Sequence, residues 1–179
     1  MLNSLLRQKR DIILKKWAES IMDSYPADTS RILKTRHNQF ANPVGHAITT
    51  GTATVFDELL GDMNFDALNG ALDGIVRIRS VQDFTPSQAV RFIYQLKDVI
   101  HEQLGKDIRK ENLNDDLQTI ESRIDSLALH VFDMYMNCRE KLHELKETQL
   151  RRGPYRPYHH VRSERDVPQH EGDSQDGTE

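Results

Sequence analysis

The chain has 179 residues, enough for one domain and short for two, and its net charge of −4 leaves no global basic field to recruit nucleic acid. With 37% hydrophobic and 29% charged residues, it predicts a single core under a heavily charged surface. The lone cysteine, Cys138, excludes intramolecular disulfides and any zinc site built on several thiolates. Charges enter by Arg7 and no apolar run has the length of a signal peptide or a bilayer span, so the expected location is cytoplasmic.

Leu2, Leu5, Leu6, Ile13, Trp17 and Ile21 recur at helical spacing and predict a first helix over Leu2 to Asp23. Arg7, Lys9, Arg10, Lys15 and Lys16 lie away from that stripe. Such a basic face can attach to membranes, but Asp11 and Glu19 dilute it and the core consumes the apolar stripe. Tyr25-Pro26 ends the element, because proline disfavours helical geometry in the residue before it. Asp28, Thr29 or Ser30 can cap a short helix through Ile32 and Leu33. Asn42-Pro43 opens the next one, with Val44, Ile48, Val55 and Leu59 as its buried stripe and Gly61-Asp62 as its end.

Asn64 caps a helix carrying Phe65, Leu68, Leu72, Ile75 and Val76. A second face holds Ala67, Gly70, Ala71 and Gly74, and each interior glycine costs about 1 kcal/mol relative to alanine. Close approach of a neighbouring helix is the simpler compensation, and a ligand lying against bare backbone the sharper one. Thr85-Pro86-Ser87-Gln88 has the form of a capping box followed by Ala89, Phe92, Ile93, Leu96, Val99, Ile100 and Leu104, with Gly105 as the expected stop. Asn114 caps the last helix. There Leu117, Ile120, Ile124, Leu127, Val131, Met134 and Cys138 keep an uninterrupted 3-4 spacing that Leu142 and Leu145 extend. Over Asn114 to Leu150 this helix spans roughly 55 Å, longer than a small domain is wide. Its first half reads as core. Its second half reads as a projecting dimer seam of Cys138, Leu142 and Leu145.

The expected fold is therefore all-α: a compact helical bundle of five to six helices, with a long C-terminal helix and a disordered tail over 151–179. The tail is polar and acidic and too poor in apolar residues to offset the entropy of ordering. His159, His160 and His170 lie in it and offer only loose, adventitious metal binding, so no metal site is expected.

Two stretches resemble a known family. One is Arg31-Ile-Leu-Lys-Thr-Arg-His-Asn-Gln-Phe-Ala-Asn-Pro-Val-Gly-His-Ala-Ile-Thr-Thr-Gly51, continuing to Leu60. The other is Ile75-Val-Arg-Ile-Arg-Ser-Val-Gln-Asp-Phe-Thr-Pro-Ser-Gln-Ala-Val-Arg-Phe-Ile-Tyr-Gln-Leu-Lys97. Together with Trp17 and the Tyr25-Pro26 break, they are similar to the RsbRD-type N-terminal domain of RsbT co-antagonists in bacterial stress signalling. The likeness runs from about Leu5 to Leu145 and sets a domain over 1–150. It implies an all-helical input domain, globin-like or related; related sensor domains in the wider Rsb group are similar to globins that lack haem and pair through their terminal helices. In that family such domains precede output modules, including the STAS domain, kinases and transcription regulators. None follows Leu150 in this sequence, so the resemblance implies a free-standing sensor or an adaptor, with protein partners and a homodimeric state.

Several residues remain as candidate chemistry. His101 flanks its helix's stripe and His130 sits at the edge of the inner face. Either imidazole can ligate haem iron, which makes a haem or small-ligand carrier the alternative reading. The simpler account is a half-buried histidine bonded to a carbonyl or to a carboxylate such as Glu102 or Asp133. Arg77, Arg79 and Arg91, with Gln82 and Gln88, bracket the turn into the Thr85 helix. They form a candidate anion or partner surface, suited to an acidic metabolite or a partner carboxylate, beside the plainer reading as solvated charge. Cys138 falls on the apolar seam and reads as a small core residue. The sequence holds no nucleophile elbow, Walker loop, Rossmann fingerprint or zinc-protease helix, and the chain is expected not to be an enzyme. An accessory subunit of a larger assembly is a further reading of the same features.

Overall fold

A computed structural model describes residues 1–35, 40–82 and 84–152. Among them every regular element is an α-helix: α1 (Leu2–Gln8), α2 (Arg10–Asp23), α3 (Ala27–Thr35), α4 (Pro43–Leu60), α5 (Phe65–Val81), α6 (Pro86–Lys110) and α7 (Asn114–Arg152). The tail expected to be disordered, with His159, His160 and His170, lies outside the described residues from 153 onward.

The helices close a ring. α2 packs on α4 and on α6, α4 packs on α5, and α7 joins α5 to α6. α1 rests on α6, and α3 rests on α2 and α4. The centre of the ring is the core, with Leu6, Ile13, Trp17, Ile21, Ile48, Val55, Leu68, Leu72, Ile93, Leu104, Ile124, Leu127 and Val131 fully buried. The indole of Trp17 donates to the carbonyl of Phe92 at 2.7 Å, which satisfies its only polar atom in that apolar setting.

Three starts follow local chemistry as read from the sequence. The Asn42 side chain accepts from Gly45 N with Pro43 in the first turn, Asn64 accepts from Asp66 and Ala67, and Thr85 with Gln88 forms a complete capping box.

Four boundaries differ from expectation. The first element is two helices, parted at Lys9 (φ −99°, ψ 14°). Backbone bonds cross the joint, from Lys9 N to Leu5 O and from Ile13 N to Lys9 O, so the path bends there without stopping. The Lys9 ammonium reaches Gln103 O at 2.8 Å and Asp107 at 3.0 Å, which fastens the bend to α6. α3 starts at Ala27, ahead of the expected caps, and the Ser30 hydroxyl bonds Asp23 instead. α6 passes Gly105 and runs on to Lys110, because Leu104 and Ile108 continue its buried stripe. Asn112, at φ 54°, takes the left-handed position after it. α7 includes Asn114, and its first backbone bond runs from Leu117 N to Leu113 O, so the cap position is Leu113.

The close helix approach is present, but the glycine that permits it is on α4. A Cβ built on Gly51 would lie 2.6 Å from the Ala71 carbonyl of α5. Gly70 faces open space, and a Cβ on Gly74 would make only an ordinary contact of 3.5 Å with Ala47.

Candidate functional site

α7 changes character along its length. Its first part, through Leu117, Ile120, Ile124, Leu127, Ala128, Val131 and Tyr135, is buried against α5 and α6. Met134, Met136 and Cys138 pack on the edge of the core. Beyond them Leu142 is half-buried, while Leu145 is 60% and Leu150 81% exposed. From Tyr135 to Arg152 the helix extends about 26 Å at the usual rise. Of the expected seam, Cys138 belongs to the core's edge, and Leu142 and Leu145 lie on the projecting part.

Two bonds hold the root of that projection. The Tyr135 hydroxyl donates to Phe84 O at 2.7 Å, and Arg139 donates to Ser80 O at 3.0 Å. Both acceptors flank the turn between α5 and α6. That turn also forms one wall of a cleft of about 860 Å³, bounded by the end of α2, the start of α3, the end of α5 and the first turns of α6.

Arg79 lies in this cleft with 0% exposure. Its expected place on a solvated surface is thereby corrected. Position 79 continues the Leu68, Leu72, Ile75, Val76 stripe at helical spacing, so α5 turns it inward along with its apolar neighbours. The guanidinium sits 5.3, 4.8 and 5.0 Å from the ring centres of Tyr25, Phe84 and Phe92. It donates to Gln88 O at 3.1 Å and to Ser24 Oγ at 2.8 Å. No carboxylate of the described residues pairs with it. Desolvation pushes it below its ordinary pKa, with Tyr25 opposing, yet an arginine so placed keeps its charge.

Cation–π contacts contribute roughly 0.5–2 kcal/mol each and hydrogen bonds from a charged donor about 1.5–3 kcal/mol each. Burying the ion costs several kcal/mol, so these contacts hold the charge without neutralising it.

The cleft also collects the unsatisfied polar atoms. Among the described residues, the buried side-chain atoms lacking a hydrogen-bond partner are Tyr25 Oη, Arg79 Nε, Gln82 Oε1 and Gln95 Oε1. All four residues line this one cleft. Arg91 lines it from an exposed position, and Asp23 lines it while engaged by Lys34 at 2.5 Å and by Ser30. Those bonds hold the Asp23 carboxyl below its ordinary range. Arg77 stands apart on the outer face, paired with Asp73 at 2.7 Å. The Gln88 side chain is used by the capping box.

The candidate haem ligands sit elsewhere. His101 bonds Glu121 at 2.7 Å on an exposed face, and His130 bonds Asn69 at 2.6 Å with the Phe65 ring edge-on to it. Neither lines the Arg79 cleft or the groove between α2, α3 and α4. Among the described residues no group of three or more His, Cys, Asp or Glu is placed to hold a metal ion, and no helix is long and apolar enough to cross a membrane.

Sequence reasoning singled out Arg77, Arg79, Arg91, Gln82 and Gln88, and the fold brings all of them but Arg77 to one cleft. It missed Tyr25, Phe84 and Gln95, which come from separate elements and share no local motif.

Comparison with protein families gives a match over residues 11–150 to the family described as the RsbT co-antagonist protein rsbRD N-terminal domain. No curated protein and no solved structure matches the chain.

Proposed function

This chain belongs to the family of RsbT co-antagonist protein rsbRD N-terminal domains, and on that premise we propose that it is a cytoplasmic, non-catalytic input or adaptor domain of bacterial stress signalling. The family is one of regulatory, sensor-type domains. In the proposed mechanism two copies pair through the projecting part of α7, and the signal is a change in how that helix packs against its partner.

The division of α7 carries this reading. Its inner part is consumed by the core, whereas the half-buried Leu142 and the exposed Leu145 carry the apolar spacing onto the projecting part. A second α7 buries them by the same knobs-into-holes packing that favours long periodic helices in pairs. The ties from Tyr135 and Arg139 to the α5–α6 turn give the bundle a direct grip on the root of the pair.

The test is size-exclusion light scattering of the full chain and of a Leu142→Glu/Leu145→Glu variant, with circular dichroism as the check on folding. A dimeric parent and a folded, monomeric variant support the reading. A monomeric parent, or a variant that remains a dimer, overturns it. Truncation before His143 is expected to give the same loss of pairing with the bundle intact.

A further inference from the structure

We propose that the Arg79 cleft is a binding site for a small organic monocarboxylate with an aromatic or similarly flat apolar body and at least one hydrogen-bond donor. The inference goes beyond the dimer reading and does not depend on it.

The charge requirement comes from Arg79. A guanidinium carries five N–H donors; two go to the neutral acceptors Gln88 O and Ser24 Oγ, and the neighbouring Tyr25 hydroxyl also supports the charge, which leaves donors over. Nε–H is among those left over, and it is buried without a partner. A carboxylate matches the planar fork of a guanidinium edge with two parallel bonds, which a halide or an alcohol does not. Arg79 is the buried cation and calls for one carboxylate, while Arg91 stands at the exposed rim. Asp23, also in the cleft wall, is already paired with Lys34 and takes no part in holding the ligand.

The body of the ligand follows from the other walls. The rings of Tyr25, Phe84 and Phe92 surround the guanidinium and supply flat apolar surface. The amide oxygens of Gln82 and Gln95 and the Tyr25 hydroxyl are buried without a partner, and a ligand reaches them by displacing the side chains that cover them. Buried polar atoms are normally satisfied, and the four buried side-chain N and O atoms of the described residues that lack a partner all belong to residues of this one cleft, which marks a place where a partner, water or ligand, comes from outside the chain. A volume of about 860 Å³ falls within the size of ordinary small-molecule sites.

The experiment uses the purified full chain and calorimetric titration with benzoate, phenylacetate and 4-hydroxybenzoate. 4-Hydroxybenzamide serves as the uncharged isostere and inorganic phosphate as the bare anion. Saturable one-to-one binding is expected for at least one carboxylate at about 1 mM or tighter, strongest for the hydroxylated one. The amide and phosphate are expected to bind at least tenfold more weakly. Gln95→Glu, which keeps side-chain size and places a carboxylate in the cleft, is expected to weaken carboxylate binding at least tenfold while circular dichroism stays unchanged. Arg79→Lys keeps the charge, loses the fork and is expected to do the same. No saturable binding by any of the three carboxylates overturns the proposal and leaves Arg79 a purely structural, water-satisfied residue. So does equal binding of the amide or phosphate, or undiminished binding by folded Gln95→Glu. Light scattering on the same samples reports the dimer separately, so binding by a monomer would sink only the dimer reading.

Discussion

The two parts of α7 are one continuous helix with one apolar period, yet they live in different environments. Between Leu117 and Tyr135 the period is spent on α5 and α6, and Ile124, Leu127 and Val131 are wholly buried. Past Cys138 Leu142 and Leu145 extend the period, but Leu142 is only half-buried and Leu145 faces solvent. Periodicity therefore states that a face is apolar, not what covers it. Coverage is decided by how far the rest of the bundle reaches.

That contrast can be tested by substitution. Ile124→Ala, in the inner part, is expected to cost about 2–5 kcal/mol in urea unfolding, through lost burial and the cavity left behind. Tyr135→Phe keeps the ring and removes the bond to Phe84 O, for an expected loss of about 0.5–1.5 kcal/mol. Acid acts on the bundle through Asp57, which Arg10 grips with two bonds of 2.9 and 2.7 Å and so holds below its ordinary value of 3.8. Because the folded value is the lower one, that pair's stabilisation is present above pH 3.8 and is lost as the pH falls through the folded value. The pair is half-exposed, so Asp57→Asn should change stability at neutral pH by less than about 1 kcal/mol and flatten the acid limb of a pH–stability profile. Leu145→Ala, in the projecting part, is expected to move monomer stability by no more than about 0.5 kcal/mol while raising the dimer dissociation constant by sedimentation. A large stability loss at Leu145, or none at Ile124, would erase the distinction between the two parts.

Much of the fold was legible because its signals are local. The Thr85–Gln88 capping box, the Asn42-Pro43 start and the Asn64 cap each involve residues within one turn, and all appear as read. The misreadings have distant causes. Gly105 looks like a stop until Leu104 and Ile108 are seen buried against the ring, where packing outweighs one glycine's cost. The bend at Lys9 is fastened by Gln103 and Asp107, far along the chain. Gly70 and Gly74 were read as marks of close helix approach, but Gly70 faces open space, Gly74 makes an ordinary contact, and the tight approach to Ala71 sits at Gly51.

The cleft was half legible. Arg79, Gln82 and Arg91 stood out together by type and nearness. Burial of Arg79 was available from its place on the Leu72, Ile75, Val76 stripe, a signal overridden by the habit of placing arginine on the surface. Tyr25 and Gln95 reach the site only through the crossing of α2 with α6, which no local pattern encodes.

The α7 projection also has a mechanical meaning. It is about 26 Å long, so a tilt of about 5° at Tyr135 would carry its far end through about 2 Å. Its root is tied to the α5–α6 turn through Tyr135 and Arg139, and about 2 Å is the size of helix shifts at subunit interfaces, short of the roughly 5.4 Å of one helical turn.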